Sequence, residues 1–199
     1  MNDANCFTLS EAVDGAGKNF QSIFGIIIGT GFGGALSYKK EIIEGANQIA
    51  GDWGHQPLPY PTKEEMQMKI NCPSMNCGRP LCAEQFMSGP GFENIFNQKY
   101  NTTLSSEQIV KLDLNKDQKA DLELSSYEDR MARLMAVMIG IFDPDAIILG
   151  GGMSNIDRFY KNIPKLIPKY TFSNKVETKV LKNIHGDSSG VRGAAWLWN

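Results

Sequence analysis

The sequence predicts an α/β fold, a sheet of short buried strands carrying helices, and three observations lead to it. Two runs, Ile23-Phe-Gly-Ile-Ile-Ile28 and Ala146-Ile-Ile-Leu149, are β-branched and almost wholly apolar, and each runs directly into glycines. That is the pattern of strands buried on both faces. The first run is followed by Gly29-Thr30-Gly31-Phe32-Gly33-Gly34, then Ala35 to Tyr38, a Lys39-Lys40 turn and Glu41-Ile42-Ile43. This order predicts a hairpin after the glycines, not a helix. Between the two strands lies the strongest helical signal, Leu122 to Phe142, in which Tyr127, Met131, Leu134, Met135, Met138, Ile141 and Phe142 fall on one face.

The remaining elements follow in order. Leu9 to Ala16 reads as a short helix after an Asn-Asp-Ala-Asn opening whose polar side chains suit a cap. From Gly45 to about Gly91 the chain is rich in Gly, Pro and Cys, and Pro57, Pro59, Pro61, Pro73, Pro80 and Pro90 exclude long regular elements. A stretch of this kind reads as a functional loop region. A polar segment from Ser105 to Asp121 carries a helix at Glu107 to Leu112. Asp143-Pro144-Asp145 ends the long helix, since the residue before a proline leaves the helical region. A further helix is expected over Asp157 to Ile167. The chain closes on Gly190-Val-Arg-Gly-Ala-Ala-Trp-Leu-Trp198, a short helix preceded by glycines; were the chain a non-catalytic assembly domain, Trp196 and Trp198 would be exposed for packing on another domain.

Composition bounds the function. With 199 residues, 42% hydrophobic and 21% charged, the chain is globular and needs no disulfide staples. Twenty basic against 22 acidic residues leave a net charge of −2, so there is no global field for nucleic acid or an anionic membrane. The apolar runs are far too short to span a bilayer, and a cytoplasmic setting is expected. Cys72, Cys77 and Cys82 are crowded together while Cys6 stands alone, a spacing unlike a disulfide framework. In a reducing compartment, clustered thiols are metal ligands or plain buried side chains.

A glycine turn after a strand directs several backbone N–H groups at one point and lets a phosphate approach without a Cβ in the way. Gly29, Thr30, Gly31 and Gly33 fit that description. No Lys-Ser/Thr pair follows and no helix is predicted, so neither a P-loop nor a dinucleotide fingerprint is present. A glycine-rich hairpin under a phosphate suits an actin-like ATPase sheet. Gly150, Gly151 and Gly152 allow close approach of a flat ligand such as a nucleoside, and one nucleotide bridging both turns explains both at once. Taken alone, the first has a tight β-turn with no ligand as its alternative, and the second a packing feature. The Gly186 to Gly193 stretch, with Asp187, Ser188 and Ser189, is a candidate third wall. His55 with Cys72, Cys77 and Cys82 offers one imidazole and three thiolates, a chemically sensible zinc set with loose spacing; reduced buried cysteines are the alternative. Asn2, Asp3, Asp52, His55 and Glu84 are candidates for a hydroxyl-rich ligand, because a carboxylate accepts from two neighbouring hydroxyls. Asp3 is equally suited to capping a helix.

Asn2-Asp-Ala-Asn5, Gly29-Thr-Gly-Phe-Gly-Gly34, Ala50-Gly-Asp-Trp-Gly-His55, Cys77-Gly and Cys82-Ala-Glu84 stand in the order seen in ROK-family sugar kinases. Leu58-Pro59-Tyr60, Phe142-Asp-Pro-Asp145, Leu149-Gly-Gly-Gly-Met-Ser-Asn155 and His185-Gly-Asp-Ser-Ser-Gly-Val-Arg-Gly-Ala-Ala-Trp196 resemble the bacterial fructokinase branch. The resemblance covers essentially the whole chain. It implies the large C-terminal domain of a two-domain sugar kinase with the actin-like ATPase (ribonuclease H-like) fold, with residues 1–20 as an interdomain helix and 21–199 as the large domain. ATP with Mg2+ and a hexose would meet in its cleft. By position Asp3 matches the catalytic base, and Asn2, Asp52, His55 and Glu84 match sugar contacts. Gly29 to Gly34 matches a phosphate contact, and Gly150 to Gly152 matches the adenosine region. His55 with the cysteines matches a structural Zn2+ site, and a homodimer is expected.

Three departures stand out. Asp52 replaces the usual Glu before Trp-Gly-His. The motif Cys-x-Cys-Gly-x-x-Gly-Cys has Met75 at its first cysteine and Leu81 at its second glycine, so Cys72 could serve only through a rerouted loop. The chain starts at the Asn-Asp motif, so the family's N-terminal domain with its Asp-x-Gly-x-Thr loop is expected to lie elsewhere or be lost, and the chain alone to turn over little. Two other roles fit the resemblance: the sugar-sensing domain of a ROK transcriptional repressor, and a non-catalytic dimerising fragment. The chain shows no helix-turn-helix, and retention of Asp3 and the glycine turns favours the kinase.

Overall fold

The computed structural model describes residues 2–72, 77–173, 175–186, 192–193 and 195. Helix α1 (Asp3–Val13) opens the chain and leads into β1 (Ser22–Ile28), β2 (Phe32–Tyr38) and β3 (Glu41–Ile42). The predicted hairpin is present: β2 pairs antiparallel with β1, from Ile28 opposite Phe32 to Ser22 opposite Tyr38. Lys39 and Lys40, which join β2 to β3, both take positive φ, as a two-residue hairpin turn requires. After the loop region come α2 (Lys63–Gln67), α3 (Ala83–Met87), α4 (Gly89–Tyr100), α5 (Ser106–Leu114) and the long α6 (Gln118–Phe142). The chain then forms β4 (Ala146–Gly150), α7 (Arg158–Leu166) and β5 (Lys179–Lys182).

The sheet order is β3-β2-β1-β4-β5, with β4 parallel to β1 and β5 parallel to β4. This mixed five-stranded order is the actin-like, ribonuclease H-like arrangement that the glycine hairpin predicts. Alternation along β1 divides the molecule into three layers. Phe24, Ile26 and Ile28 join Ile147 and Leu149 in the main core under α3, α4 and α6. Ile23 joins Phe7, Ala12 and Ile148 on the opposite face, under α1. At the centre of the helical layer Tyr127 is fully buried, stacks on Phe159 at 5.2 Å and donates its hydroxyl to the Met87 carbonyl at 2.6 Å.

Four expectations need correction. The first helix runs from Asp3 to Val13 rather than from Leu9 to Ala16, because Asn2 caps its start and Asp14, with φ of −136°, ends it. Helix α4 was not expected; Ser88 caps it, and Pro90 sits in its first turn, where a proline lacks nothing a helix needs. Strand β5 was not expected either, because its Lys-Val-Leu-Lys sequence is polar at both ends and lies at a sheet edge. Ile141, on the predicted apolar face of α6, is 78% exposed, although Phe142 beside it still packs against the core. No helix among the described residues is long and apolar enough to cross a membrane.

Candidate active site at the carboxyl end of the central strand

Both glycine turns lie at the carboxyl end of β1. The first follows Ile28 directly, and Gly29 donates its N–H to the Gly31 carbonyl at 3.0 Å. The second is brought alongside because β4 runs parallel to β1 with Gly150 opposite Ile27. Gly151 therefore packs on Ile28: a Cβ there would lie 2.4 Å from the Ile28 carbonyl oxygen, and its φ of +80° already excludes most side chains. Gly150 is covered by the ring of Phe7, which a Cβ would meet at 2.4 Å. The first turn is open by contrast, since a Cβ on Gly29 or Gly33 would meet nothing within 4 Å and one on Gly31 would meet only Glu84 Oε2, at 3.1 Å.

The same end of the sheet receives the start of α1. Gly25 lies against Thr8 and Phe7, and Gly17, beyond the helix, lies against Ile23 and Ile148. Helix α1 therefore runs antiparallel to β1, and its first turn extends toward the strand's carboxyl end. Asp3 stands one turn before Phe7 on the same face and is exposed; its Oδ1 accepts from the Ala4 N–H at 2.9 Å. Asn2 is exposed and is the N-cap, its side chain accepting from the Asn5 N–H at 2.8 Å.

Glu84 ties the first glycine turn to the cysteine loop. Held on α3 and 5% exposed, it accepts the Phe32 N–H at 3.0 Å through Oε2 and the Cys72 thiol at 3.4 Å through Oε1. Gly89 donates to the Gly29 carbonyl at 2.8 Å, so the start of α4 grips the same turn. The loop bearing Asp52 and His55 runs back along β2 and zips onto the start of α3: Leu58 donates to Leu81, Ala83 to Gln56 and Glu84 to Gly54. Trp53 anchors it, packing edge-on to Phe24 at 4.7 Å and stacking on Phe32 at 5.2 Å. Asp52 is exposed beside it.

This zipper seats His55 in the cysteine cluster. Its Nδ1 lies 3.5 Å from Cys82 Sγ and 4.0 Å from Cys72 Sγ, with Cys77 and Cys72 Sγ at 3.5 and 3.6 Å from Cys82 Sγ. All four ligand atoms lie within 4.8 Å of one another. Tetrahedral zinc with its usual bond lengths needs thiolates about 3.8 Å apart and nitrogen to sulfur about 3.5 Å, so the donor set and its spacing fit that ion. Cys72 thus stands within the donor set; Met75 lies outside the described residues. The N–H of Arg79 beside Cys77 holds that thiol below its ordinary range, while burial pushes Cys82 up.

A second feature of the loop was not anticipated. Glu65 on α2 forms buried ion pairs with Arg130 and Arg133 of α6. The available signal was two arginines interleaved with Met131 and Leu134 on a helix otherwise apolar on that side, which a buried partner would explain. Of the candidate third wall, Asp187, Ser188, Ser189 and Gly190 lie outside the described residues, as do Trp196 and Trp198. Gly193 is packed so closely on the Cys6 carbonyl that a Cβ would overlap it, which places this part of the C-terminal segment on α1.

Comparison with known proteins bears on the fold and the family. The ROK family profile matches residues 1–199. An N-acetyl-D-glucosamine kinase of Vibrio vulnificus (strain YJ016) is 39% identical over 200 residues, covering 98% of this chain and 65% of that kinase. That of Vibrio cholerae is 38% identical over 196 residues with the same coverage. The chain thus spans a little under two thirds of the length of these curated relatives. Among solved structures, a ROK family glucokinase from Streptomyces griseus in complex with glucose and AMPPNP superposes with a TM-score of 0.83 at 24% identity, covering 98% of this chain and 66% of that one. A ROK hexokinase from Thermus thermophilus gives 0.82 at 22% identity, over 98% and 62%. At these identities the superpositions speak for the fold, the family profile speaks for descent, and the chain belongs to the ROK family.

Proposed function

We propose that the chain supplies the sugar- and nucleotide-binding end of an ATP-dependent hexose kinase, with an N-acetylhexosamine as the first sugar to test. The observation that carries this reading is the convergence of an open glycine turn, a buried carboxylate touching that turn and the first turn of α1 at one end of the sheet. The names of the 36–39% identical relatives favour the N-acetylated sugar. Fructose rests on the motif resemblance and remains the competing substrate.

In this reading the sugar lies between Asp3 and the loop of Asp52, His55 and Glu84, with Asn2 beside it. A carboxylate offers about four acceptor positions, so Glu84 can brace the glycine turn and receive a sugar hydroxyl. Asp3 takes the proton of the attacking hydroxyl as the bond to the γ-phosphorus forms and ADP leaves. The open space beside Gly29 and Gly33 receives the phosphate oxygens, while Gly150 to Gly152 line the nucleoside side. Magnesium supplies charge neutralisation on the phosphates. His55, Cys72, Cys77 and Cys82 would hold a zinc ion that shapes the loop and does no bond-making.

Because the chain spans 65% of its relatives' length, binding is the first readout and turnover the second. Calorimetry should show an ATP analogue and N-acetylglucosamine binding more tightly together than apart. Where ADP release is measurable, Asp3→Asn should lower kcat about 10²–10⁴-fold while leaving sugar affinity nearly unchanged. Full turnover in that variant would remove Asp3 from the mechanism. Tight binding of fructose with none of N-acetylglucosamine would exchange the substrate and keep the chemistry.

A further inference from the structure

The far end of the cysteine loop is held by buried charge where apolar packing could hold it as well. Arg133, its side chain 2% exposed, donates through Nη1 to the carbonyls of Pro59 at 3.0 Å and Tyr60 at 2.8 Å. It also reaches both Glu65 oxygens, at 3.0 and 2.7 Å, and its Nε lies 3.1 Å from Asp129 Oδ2 as an ion pair without hydrogen-bond alignment. Arg130 donates to Glu65 at 2.8 Å and to Glu123 at 3.1 Å. Burial alone would raise the Glu65 pKa, but the bonds from Arg133, the Thr62 N–H and Arg130 outweigh it and hold the carboxyl at about 2.

Buried ion pairs often stabilise a fold no better than hydrophobic residues of equal volume. What a guanidinium fork adds is direction, and here that direction is applied to the backbone of residues 59–60 and to α2, the stretch between His55 and Cys72. The path from one ligand to the other is pinned at three places. Residues 54–58 are zipped to 81–84, residues 59–65 are held by Arg133 and the Thr62 capping box, and Gln85 Nε2 donates to the Ile70 carbonyl at 2.9 Å, two residues before Cys72. This chain also has particular need of such pinning. With methionine at position 75, four residues separate Cys72 from Cys77, and a longer knuckle is less ordered by its own ligands.

We propose that Arg133 and Glu65 are positioning residues for the metal centre, fixing the chain that enters Cys72 so that its sulfur meets His55, Cys77 and Cys82. The inference rests on reading the cluster as a metal centre. Cobalt(II) titration of the chain, followed by its thiolate-to-metal and d–d absorption bands, with zinc competition against a chromophoric chelator, separates the two claims. Arg133→Lys and Glu65→Gln are expected to weaken metal binding at least about tenfold, a usual size for loss of supporting groups outside the ligand set, and to change the cobalt spectrum. Arg158→Lys is the control: Arg158 also pairs with acids of α6, Glu128 at 2.8 Å and Asp121 at 2.9 Å, yet does not touch this loop. It should bind metal like the native chain even where its melting temperature falls as far. Equal metal affinity in all variants, or equal loss in the control, overturns the positioning role. A native chain that takes up neither cobalt nor zinc overturns the metal reading and this inference with it. Should Arg133→Lys not fold, the near-isosteric Glu65→Gln carries the test.

Discussion

The two glycine turns at the end of the sheet look alike in sequence and differ in what their glycines are for. Around Gly150 and Gly151 the missing side chains are filled by the protein itself, by the ring of Phe7 and the backbone of Ile28. Around Gly29 and Gly33 the corresponding space is empty to 4 Å. A glycine is required in the first case by packing and backbone conformation, and in the second by nothing inside this chain. The space beside Gly29 and Gly33 is therefore left for a ligand, as is that beside Gly152, where a Cβ would also meet nothing within 4 Å, while Gly150 and Gly151 earn their place without one.

Substitution can break that distinction. The largest effect is expected at Gly151→Ala, which combines overpacking against Ile28, about 1–3 kcal/mol, with a left-handed backbone costing about 1 kcal/mol more. For a domain of this size the melting temperature should fall by roughly 5–15 °C; a fall of less than a degree would mean the turn relaxes freely. The next effect is a coupling. Gly150→Ala should cost about 1–3 kcal/mol by displacing the Phe7 ring, and most of that cost should vanish in a Phe7→Leu background. Strict additivity in that double-mutant cycle would separate the turn from α1. The smallest effect on stability is expected at Gly33→Ala, within about 0.5 kcal/mol because the site is open. That same variant should weaken binding of an ATP analogue severalfold in calorimetry. Unchanged nucleotide affinity would return the first turn to a plain hairpin.

The cysteine loop and α1 extend the lesson. Cys72 could be named from composition, yet its usefulness depended on whether a loop of altered spacing could bring its sulfur back beside Cys82, and the two lie 3.6 Å apart. Asn2 and Asp3 were legible both as helix caps and as site residues. The structure has them capping or bonding their own helix while standing at the site end of the sheet, so the two readings do not exclude each other. Glu65, Arg130 and Arg133 were not legible as a unit. A charged residue on a helix reads as solvated unless its partner is known, and Glu65 lies 68 positions from Arg133 in the chain.

The amino-acid sequence by itself determined the two buried strands, the hairpin after the first glycines, the long helix and the family motifs, because these depend on periodicity, turn chemistry and residue identity over short spans. Tertiary structure alone decided which glycine turn is packed and which is open, that Glu84 bridges the open turn to the thiols, and that the arginines of α6 face inward. Each of those is a matter of volume and partner in space, and neither quantity is local in a chain that returns to one end of the sheet from several separate segments.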